Sequence, residues 1–329
     1  MNETITQYIA RYGRQEVYFV TDAALQLTVQ PRIEIVANEQ NKCLATVQRI
    51  WDFLLSHHAT RKALVVCVGG GVTTDLGGFA AATYRRGIDY VNIPTTLLAM
   101  IDAATGGKTG CNYQGLKNAI GVIREPLDTI ILPQWLATLP AQQLLSGWAE
   151  MIKTALLDSN ELYGRVVKHP PTPSVKGREA ERRELETVIK DILAVKRRIV
   201  TADPTEQGLR KALNLGHTVG HALEESRDIP HGYAVLYGLV AELYLSVVKA
   251  GLDRQVLQQM VHLMVEFFGR PQCACSDYDQ IIALMRDDKK NEQQGQINFT
   301  LLKAIGEPVI NSTATETEIK EALDYLFSI

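Results

Sequence analysis

The chain has few cysteines: five in 329 residues (Cys43, Cys67, Cys111, Cys273 and Cys275), odd in number and without a CxxC pair. That excludes a disulfide framework and fits a reduced, cytosolic protein. Charge of one sign is also scarce. The formal net charge is −3 and the pI is near 6.2, so the positive field that attracts phosphate backbones is missing and nucleic acid is not an expected partner. No unbroken apolar run reaches the roughly 18 residues of a membrane span, which argues against a membrane protein. The opening MNETITQYIARYGRQ has no hydrophobic core behind a basic start, so secretion is not expected. What is present is 46% hydrophobic and 22% charged residues, too apolar for a disordered chain. The length suits about two domains with sizeable cores.

The first 140 or so residues alternate short strand-like runs with helical spacing. Strands are predicted at 17–20, 32–36, 63–68, 89–93 and 129–132, and a helix over 44–57. Several of these runs are continuously apolar, as in a parallel sheet covered on both faces. The alternation predicts a doubly wound α/β domain. After Pro133 the pattern turns helical, at 142–157, 178–200, 218–225, 234–250, 254–268, 278–285 and 315–327. The last opens with a capping-box pattern at Thr315 and Glu318. One short strand is expected at 296–302, and a rigid surface connector at His169–Pro173. The expected domains are therefore 1–141, α/β, and 142–329, mostly helical.

Chemistry concentrates in four places. Gly69-Gly70-Gly71-Val72-Thr73-Thr74-Asp75 follows an apolar strand and opens a helix. Glycines there let a ligand approach the backbone, and the helix start offers free N–H donors, as a pyrophosphate requires; a plain tight turn is the alternative. Farther on, Pro94-Thr95-Thr96 leads to Asp102, then to Lys108 and to Lys117-Asn118 in glycine-rich segments. Solvated loops are the alternative for the lysines, but Asp102 ends an apolar run and should be partly buried. Gly107-Lys108-Thr109 lacks the spacing of a P-loop, because Asp102 stands where its first glycine would be.

The third place holds three of the seven histidines within fifteen residues: His217, His221 and His231. The first two share a helix face, one turn apart. Catalytic zinc typically takes three protein ligands and keeps one position open. Thr218 stands where HExxH has its glutamate, so a metalloprotease is disfavoured. Glu150, on an otherwise apolar helix, is a candidate carboxylate; an i,i+3 ion pair with Lys153 is the alternative. Fourth, Arg85-Arg86, Lys196-Arg197-Arg198, Arg210-Lys211 and Asp288-Lys289-Lys290-Asn291 are basic runs. Each alone reads as a solvated face, and together they suit a substrate's carboxylate and phosphate.

The ordered segments GGGVxxD, YxRG, PTTLLAxxD, GGK, KNxIG, AExIK, GLRxxLNLGHTxGHAxE, HGxAV and DKKN resemble the 3-dehydroquinate synthases, sugar-phosphate cyclases of the shikimate pathway, over roughly residues 60 to 305. The resemblance implies an N-terminal Rossmann-like, NAD-binding α/β domain followed by a mostly helical metal-binding domain, in a cytoplasmic homodimer. It implies zinc or cobalt on Glu150, His217 and His231, with His221 beside the metal. NAD would lie on Gly70, Gly71, Val72 and Asp75, with Thr95, Thr96, Leu98 and Thr138 completing the cleft, and with Lys108 and Lys117 near it. Asp22, Glu39 and Lys42 match the adenosine-side contacts. Asp102, Lys108, Lys117, Asn118, Lys153, Lys196, Arg210, Asn214, His221 and Lys289 or Lys290 match substrate positions, of which Asp102, Asn118, Lys153, Lys196 and His221 would take part in catalysis. Arg86 matches an arginine reaching the substrate phosphate of a neighbouring subunit.

The implied substrate is 3-deoxy-arabino-heptulosonate 7-phosphate. Transient oxidation at C5 by NAD acidifies C6–H and phosphate leaves by β-elimination. Hydride then returns, the ring opens, and an intramolecular aldol step closes the carbocycle. Other readings stay open: a related cyclase such as 2-deoxy-scyllo-inosose synthase, a polyol dehydrogenase of the glycerol dehydrogenase type, or a catalytically inactive metabolite-binding relative. The chain departs from the family pattern at Asn38, usually glycine, at Thr74, usually glycine, and at Tyr233 in the HGEAV segment. The opening hairpin segment usual in the family is not seen before the first strand.

Overall fold

The computed structural model describes residues 2–171, 179–227, 229–272, 275–287 and 296–329, in two compact units, Met1–Leu139 and Pro140–Ile329.

In the first unit, helix α1 (Asn2–Ala10) precedes strands β1 (Val17–Asp22) and β2 (Arg32–Ile35), then helix α2 (Leu44–Ser56). Strand β3 (Leu64–Gly69), helix α3 (Gly71–Thr83) and strand β4 (Asp89–Pro94) follow. Strands β5 (Lys108–Tyr113) and β6 (Leu116–Ile123) form an antiparallel hairpin, and β7 (Asp128–Thr129) closes the main sheet. That sheet is parallel throughout, in the order β2-β1-β3-β4-β7. Every residue of β3 is buried, which is why its sequence is continuously apolar rather than alternating. Val47, Ile50 and Leu54 of α2 and Leu76, Phe79 and Ala80 of α3 bury against Val65, Cys67 and Tyr90 of the sheet. The glycines of α3 bring it close: a Cβ on Gly78 would stand 2.7 Å from Thr109 Cγ2 in β5.

The second unit holds helices α4 (Ala141–Leu156), α5 (Asn160–Lys168), α6 (Glu179–Ala202), α7 (His217–Arg227), α8 (His231–Leu245), α9 (Arg254–Leu263) and α10 (Tyr278–Asp287). Strands β8 (Asn298–Ala304) and β9 (Glu307–Thr313) pair as a hairpin before helix α11 (Glu316–Ser328). Helix α8 is central, packed by α4, α7, α9, α11 and β8. With its continuation it covers His231–Ala250, 20 residues that are long and apolar enough by length and composition to cross a membrane, although Glu242 and Lys249 interrupt any unbroken apolar run. Two-thirds of that stretch (67%) is buried inside the unit, so its apolarity belongs to a core helix.

Two expectations need correction. The glycine-rich segments around Lys108 and Lys117, for which solvated loops are the alternative reading, form the β5–β6 hairpin, in which Gly110 pairs with Gly121. The strand expected at 129–132 is only Asp128–Thr129, and the strand at 296–302 is one arm of a hairpin. The capping box of α11 is present, with both reciprocal bonds between Thr315 and Glu318. The connector at His169–Pro173 passes out of the described residues at Thr172.

Candidate active site and metal centre

Helices α4, α7 and α8 meet at glycines. A Cβ on Gly220 of α7 would stand 3.0 Å from Ala234 O of α8, and one on Gly238 of α8 would stand 2.7 Å from Gly220 N. Gly232, at the first turn of α8, lies equally close to the backbone of Ser146 in α4. Side chains at these points would hold the helices apart. Without them, Glu150 of α4 and His217 and His231, each the first residue of its helix, converge.

One carboxylate oxygen serves both imidazoles: Glu150 Oε1 is 3.1 Å from His231 Nε2 and 3.2 Å from His217 Nε2. The other oxygen, Oε2, is 2.7 Å from Lys153 Nζ. Lys153 also donates to Leu213 O at 3.2 Å. The far nitrogens are taken as well. His217 Nδ1 stands 3.0 Å from Leu215 O, and His231 Nδ1 stands 2.8 Å from Glu224 Oε2. An acceptor behind each ring orients it and can hold a proton on Nδ1, so that Nε2 faces Glu150 and would be the nitrogen to ligate a cation that displaces its proton, as for a metal-ligating histidine. Candidate ligand atoms of the three residues lie within 4.8 Å of one another. For bonds near 2 Å, neighbouring donors of a tetrahedral zinc stand roughly 3.3 Å apart, so the spacing and donor set suit a divalent cation.

The charges follow from burial and pairing. Burial alone would raise Glu150, but the Lys153 ammonium, His217 and two hydrogen bonds hold it well below the usual carboxylate range. Burial lowers His217 and keeps its ring neutral. Burial also opposes the charged form of His231, yet hydrogen bonds to Glu150 and Glu224 outweigh it and raise it to about 10. His221 sits beside the cluster, its ring centre 5.2 Å from that of His217 and 6.1 Å from that of His231. Elsewhere in this unit Lys196 of α6 and Arg210 are buried, and Arg210 Nη1 donates to Pro204 O at 2.8 Å. Asn214 Nδ2 donates to Glu206 Oε1 at 3.1 Å. Lys289 and Lys290 lie outside the described residues.

In the first unit, Gly70 precedes α3 in extended conformation, and a Cβ on it would stand 3.1 Å from Thr96 Cγ2. The structure thus brings Gly70 and Gly71 at the start of α3 together with Thr96, beside buried Thr95, whose N–H donates to Gly69 O at 3.0 Å. Asp75 of α3 pairs with buried Lys42, Oδ2 to Nζ, at 2.6 Å. Asp22 ends β1 and accepts from Ala24 N at 3.0 Å. Val72 lies in the first turn of α3, Asp102 in a wide helical turn at Ala99–Ala103 just after Leu98, and Thr138 in the short helix Pro133–Thr138. Lys108 opens β5, and Lys117 and Asn118 sit exposed on β6. Arg86 is exposed in a turn where Arg85, Arg86 and Gly87 all have positive φ (49°, 69° and 107°).

These two clusters belong to a chain with known relatives. Residues 32–146 match the family model described as 3-dehydroquinate synthase N-terminal, and 147–291 match its C-terminal counterpart. The chain belongs to the 3-dehydroquinate synthase family. It is 45% identical to a 3-dehydroquinate synthase of Parabacteroides distasonis, over 90% of this chain and 83% of that protein. It is 34% identical to one of Clostridium tetani, over 95% and 86%. Among solved structures, 2-epi-5-epi-valiolone synthase from Streptomyces hygroscopicus subsp. jinggangensis 5008, with NAD+ and Zn2+ bound, superposes with a TM-score of 0.81 at 28% identity, covering 94% of this chain and 90% of that one. A 2-deoxy-scyllo-inosose synthase complexed with carbaglucose-6-phosphate, NAD+ and Co2+ has the same fold, with a TM-score of 0.82 at 23% identity and coverage of 98% and 93%.

The departures from the 3-dehydroquinate synthase pattern are accommodated locally. Thr74 is buried and its hydroxyl donates back to Gly71 O at 3.0 Å. Asn38 keeps negative φ and accepts from Asn41 N at 2.9 Å, a side-chain turn in place of a glycine. Sequence reasoning missed Asn112. Its Nδ2 donates to Glu39 Oε1 at 2.7 Å and its Oδ1 accepts from Asn118 N at 2.8 Å. It ties two residues matched to different ligands, and only the hairpin brings it there. Glu224, behind His231, lay in the histidine motif without a role; a carboxylate seven residues before a histidine, across a turn, was the available signal.

Proposed function

We propose that this chain is a 3-dehydroquinate synthase, a phosphate-eliminating lyase that converts 3-deoxy-arabino-heptulosonate 7-phosphate to 3-dehydroquinate, as a homodimer in the cytoplasm. The observation that carries the reading is the convergence of Glu150, His217 and His231 in a chain whose two parts match the two parts of this family.

Glu150, His217 and His231 would hold one divalent metal, zinc or cobalt, and the start of α3 with Gly70, Gly71, Val72 and Asp75 would hold NAD. When bound, the two together supply acidification of a carbinol hydroxyl and reversible acceptance of its hydride. The protein does the rest by placement. Lys42 would orient Asp75, and Thr95, Thr96, Leu98, Thr138, Asp22 and Glu39 would line the dinucleotide, the last held by Asn112. Lys153, Lys196 and Arg210 are each under 8% exposed, and together they would form a cationic lining suited to a substrate that carries both a carboxylate and a phosphate. By their match to the family pattern, Asn214, His221, Lys289 or Lys290, Asp102, Lys108, Lys117 and Asn118 would be further substrate contacts. The departing phosphate can itself take the C6 proton, so no strong protein base is required. The positive-φ turn projects Arg86 into solvent, consistent with reaching a neighbouring subunit's substrate.

The test is release of inorganic phosphate from 3-deoxy-arabino-heptulosonate 7-phosphate in the presence of NAD, before and after chelation. Phosphate release that stops on chelation and returns with zinc or cobalt is expected. NAD binding without phosphate release under any metal would turn the reading to an inactive relative.

A further inference from the structure

Glu242 lies in the middle of α8 with no exposed surface. Its carboxylate receives three backbone N–H groups from the start of α7: Gly216 N at 2.6 Å to Oε2, and Thr218 N at 2.9 Å and Val219 N at 3.2 Å to Oε1. The first bond inside α7 runs from Gly220 N to Gly216 O, which makes Gly216 the capping position and His217 the first helical residue. Helices usually meet these orphan N–H groups with a side chain at the cap itself. Gly216 has none. Its φ is +79°, and a Cβ there would stand 2.8 Å from Leu239 Cγ. The cap comes instead from the next helix, and the positive end of the α7 dipole helps to accommodate the buried acid.

Glu242 is itself held. Ser246 Oγ donates to Glu242 O at 2.7 Å and accepts from Leu302 N of β8 at 3.0 Å, while Thr218 Oγ1 donates to Asn298 O at 2.8 Å. The same helix α8 begins with His231. The carboxylate therefore locks the start of one ligand-bearing helix onto the body of the other.

We infer that Glu242 is a positioning residue for the metal centre, setting His217 against His231 through the cap of α7. This rests on the metal reading proposed above. Glu242→Gln keeps the shape but turns an amide NH2 toward backbone N–H donors. Glu242→Asp keeps the charge and shortens the reach.

The experiment titrates Co2+ into purified full-length wild type, both Glu242 variants and Leu257→Ala, reading affinity by competition and ligand geometry by the visible d–d spectrum. Leu257 is a buried residue of α9, an element that holds neither ligand nor cap. We expect Co2+ affinity about ten- to hundredfold lower in Glu242→Gln, the usual loss when a ligand's orienting partner is removed. The d–d bands should change, Glu242→Asp should shift in the same direction, and Leu257→Ala should lose thermal stability while binding Co2+ like wild type. Wild-type affinity and spectrum in either Glu242 variant overturn the inference, as does equal weakening in Leu257→Ala. Absence of stoichiometric Co2+ in wild type defeats the metal reading, and this inference with it, whereas normal wild-type binding with indifferent Glu242 variants defeats this inference alone.

Discussion

Gly232 of α8 presses directly on the backbone of Ser146 in α4: a Cβ on Gly232 would stand 2.6 Å from the Ser146 carbonyl carbon and nearer still to its oxygen and Cα. Backbone cannot yield as a side-chain tip does, so Gly232→Ala must part the helices that carry His231 and Glu150. We expect a loss of about 1–3 kcal/mol in stability, the usual cost of overpacking, together with weaker metal binding. Thermal melts and a metal titration check both; an alanine variant with wild-type values would mean that the helices have slack at this contact.

Removing a ligand should remove the ion. His231→Ala and Glu150→Gln are expected to lose stoichiometric zinc or cobalt and, with it, activity. Glu150→Gln also strips buried Lys153 of its partner, and breaking a buried pair costs about 3–5 kcal/mol, so it should melt lower than His231→Ala. Metal analysis after dialysis decides: full occupancy in both variants would reassign the site.

Lys42 and Asp75 meet at 2.6 Å beside the start of α3. Asp75→Asn should weaken NAD binding by about tenfold, equivalent to about 1.4 kcal/mol, and Lys42→Met should do so in the same direction by freeing Asp75 to turn away. Calorimetric titration with NAD measures both, and unchanged affinity in the pair would place the dinucleotide elsewhere.

The cap of α11 carries a pH dependence. A hydrogen bond from Lys249 and backbone and hydroxyl donation from Thr315 hold Glu318 below its ordinary value of 4.5. A carboxyl lowered in the folded state stabilises the protein above its unfolded value and loses that contribution as pH falls through the folded one. The stability difference between wild type and Glu318→Gln should therefore be present at pH 7 and vanish on acidification below pH 4.5. Urea unfolding at both pH values measures it; a difference that persists in acid would exclude the ionised cap as its source.

Arg86 offers a test of assembly. If it serves the neighbouring subunit, co-expressed Arg86→Ala and His231→Ala chains should recover about a quarter of wild-type activity, because half of randomly paired dimers are hybrids with one intact site. No recovery would place Arg86 in its own subunit's site, and full activity of the Arg86→Ala chain alone would place it outside catalysis.

The parallel sheet was legible because β3 is apolar at every position and is followed at once by glycines, a pattern that burial on two faces and a tight strand-to-helix turn impose. The histidine cluster was legible because His217 and His221 share one helix face. The β5–β6 hairpin was not, since Gly110 and Gly121 face each other in its middle and glycine signals loops until its partner strand is known. Glu39 lies far from Asn112 in the chain, and Asn112 reaches Asn118 only across the turn of that hairpin, so nothing in the local pattern links the three.

By itself, then, the amino-acid order determined the core strands of the parallel sheet, most of the helices and which residue types are available for metal, dinucleotide and anion, because periodicity and donor chemistry are local properties. Only the tertiary structure decided that Glu150 Oε1 stands within hydrogen-bond distance of both His217 and His231, that Asn112 joins Glu39 to Asn118, and that Glu242 caps a helix whose own cap is a bare glycine. Those are distances between elements, set by how closely glycine lets helices approach, and no local signal encodes them.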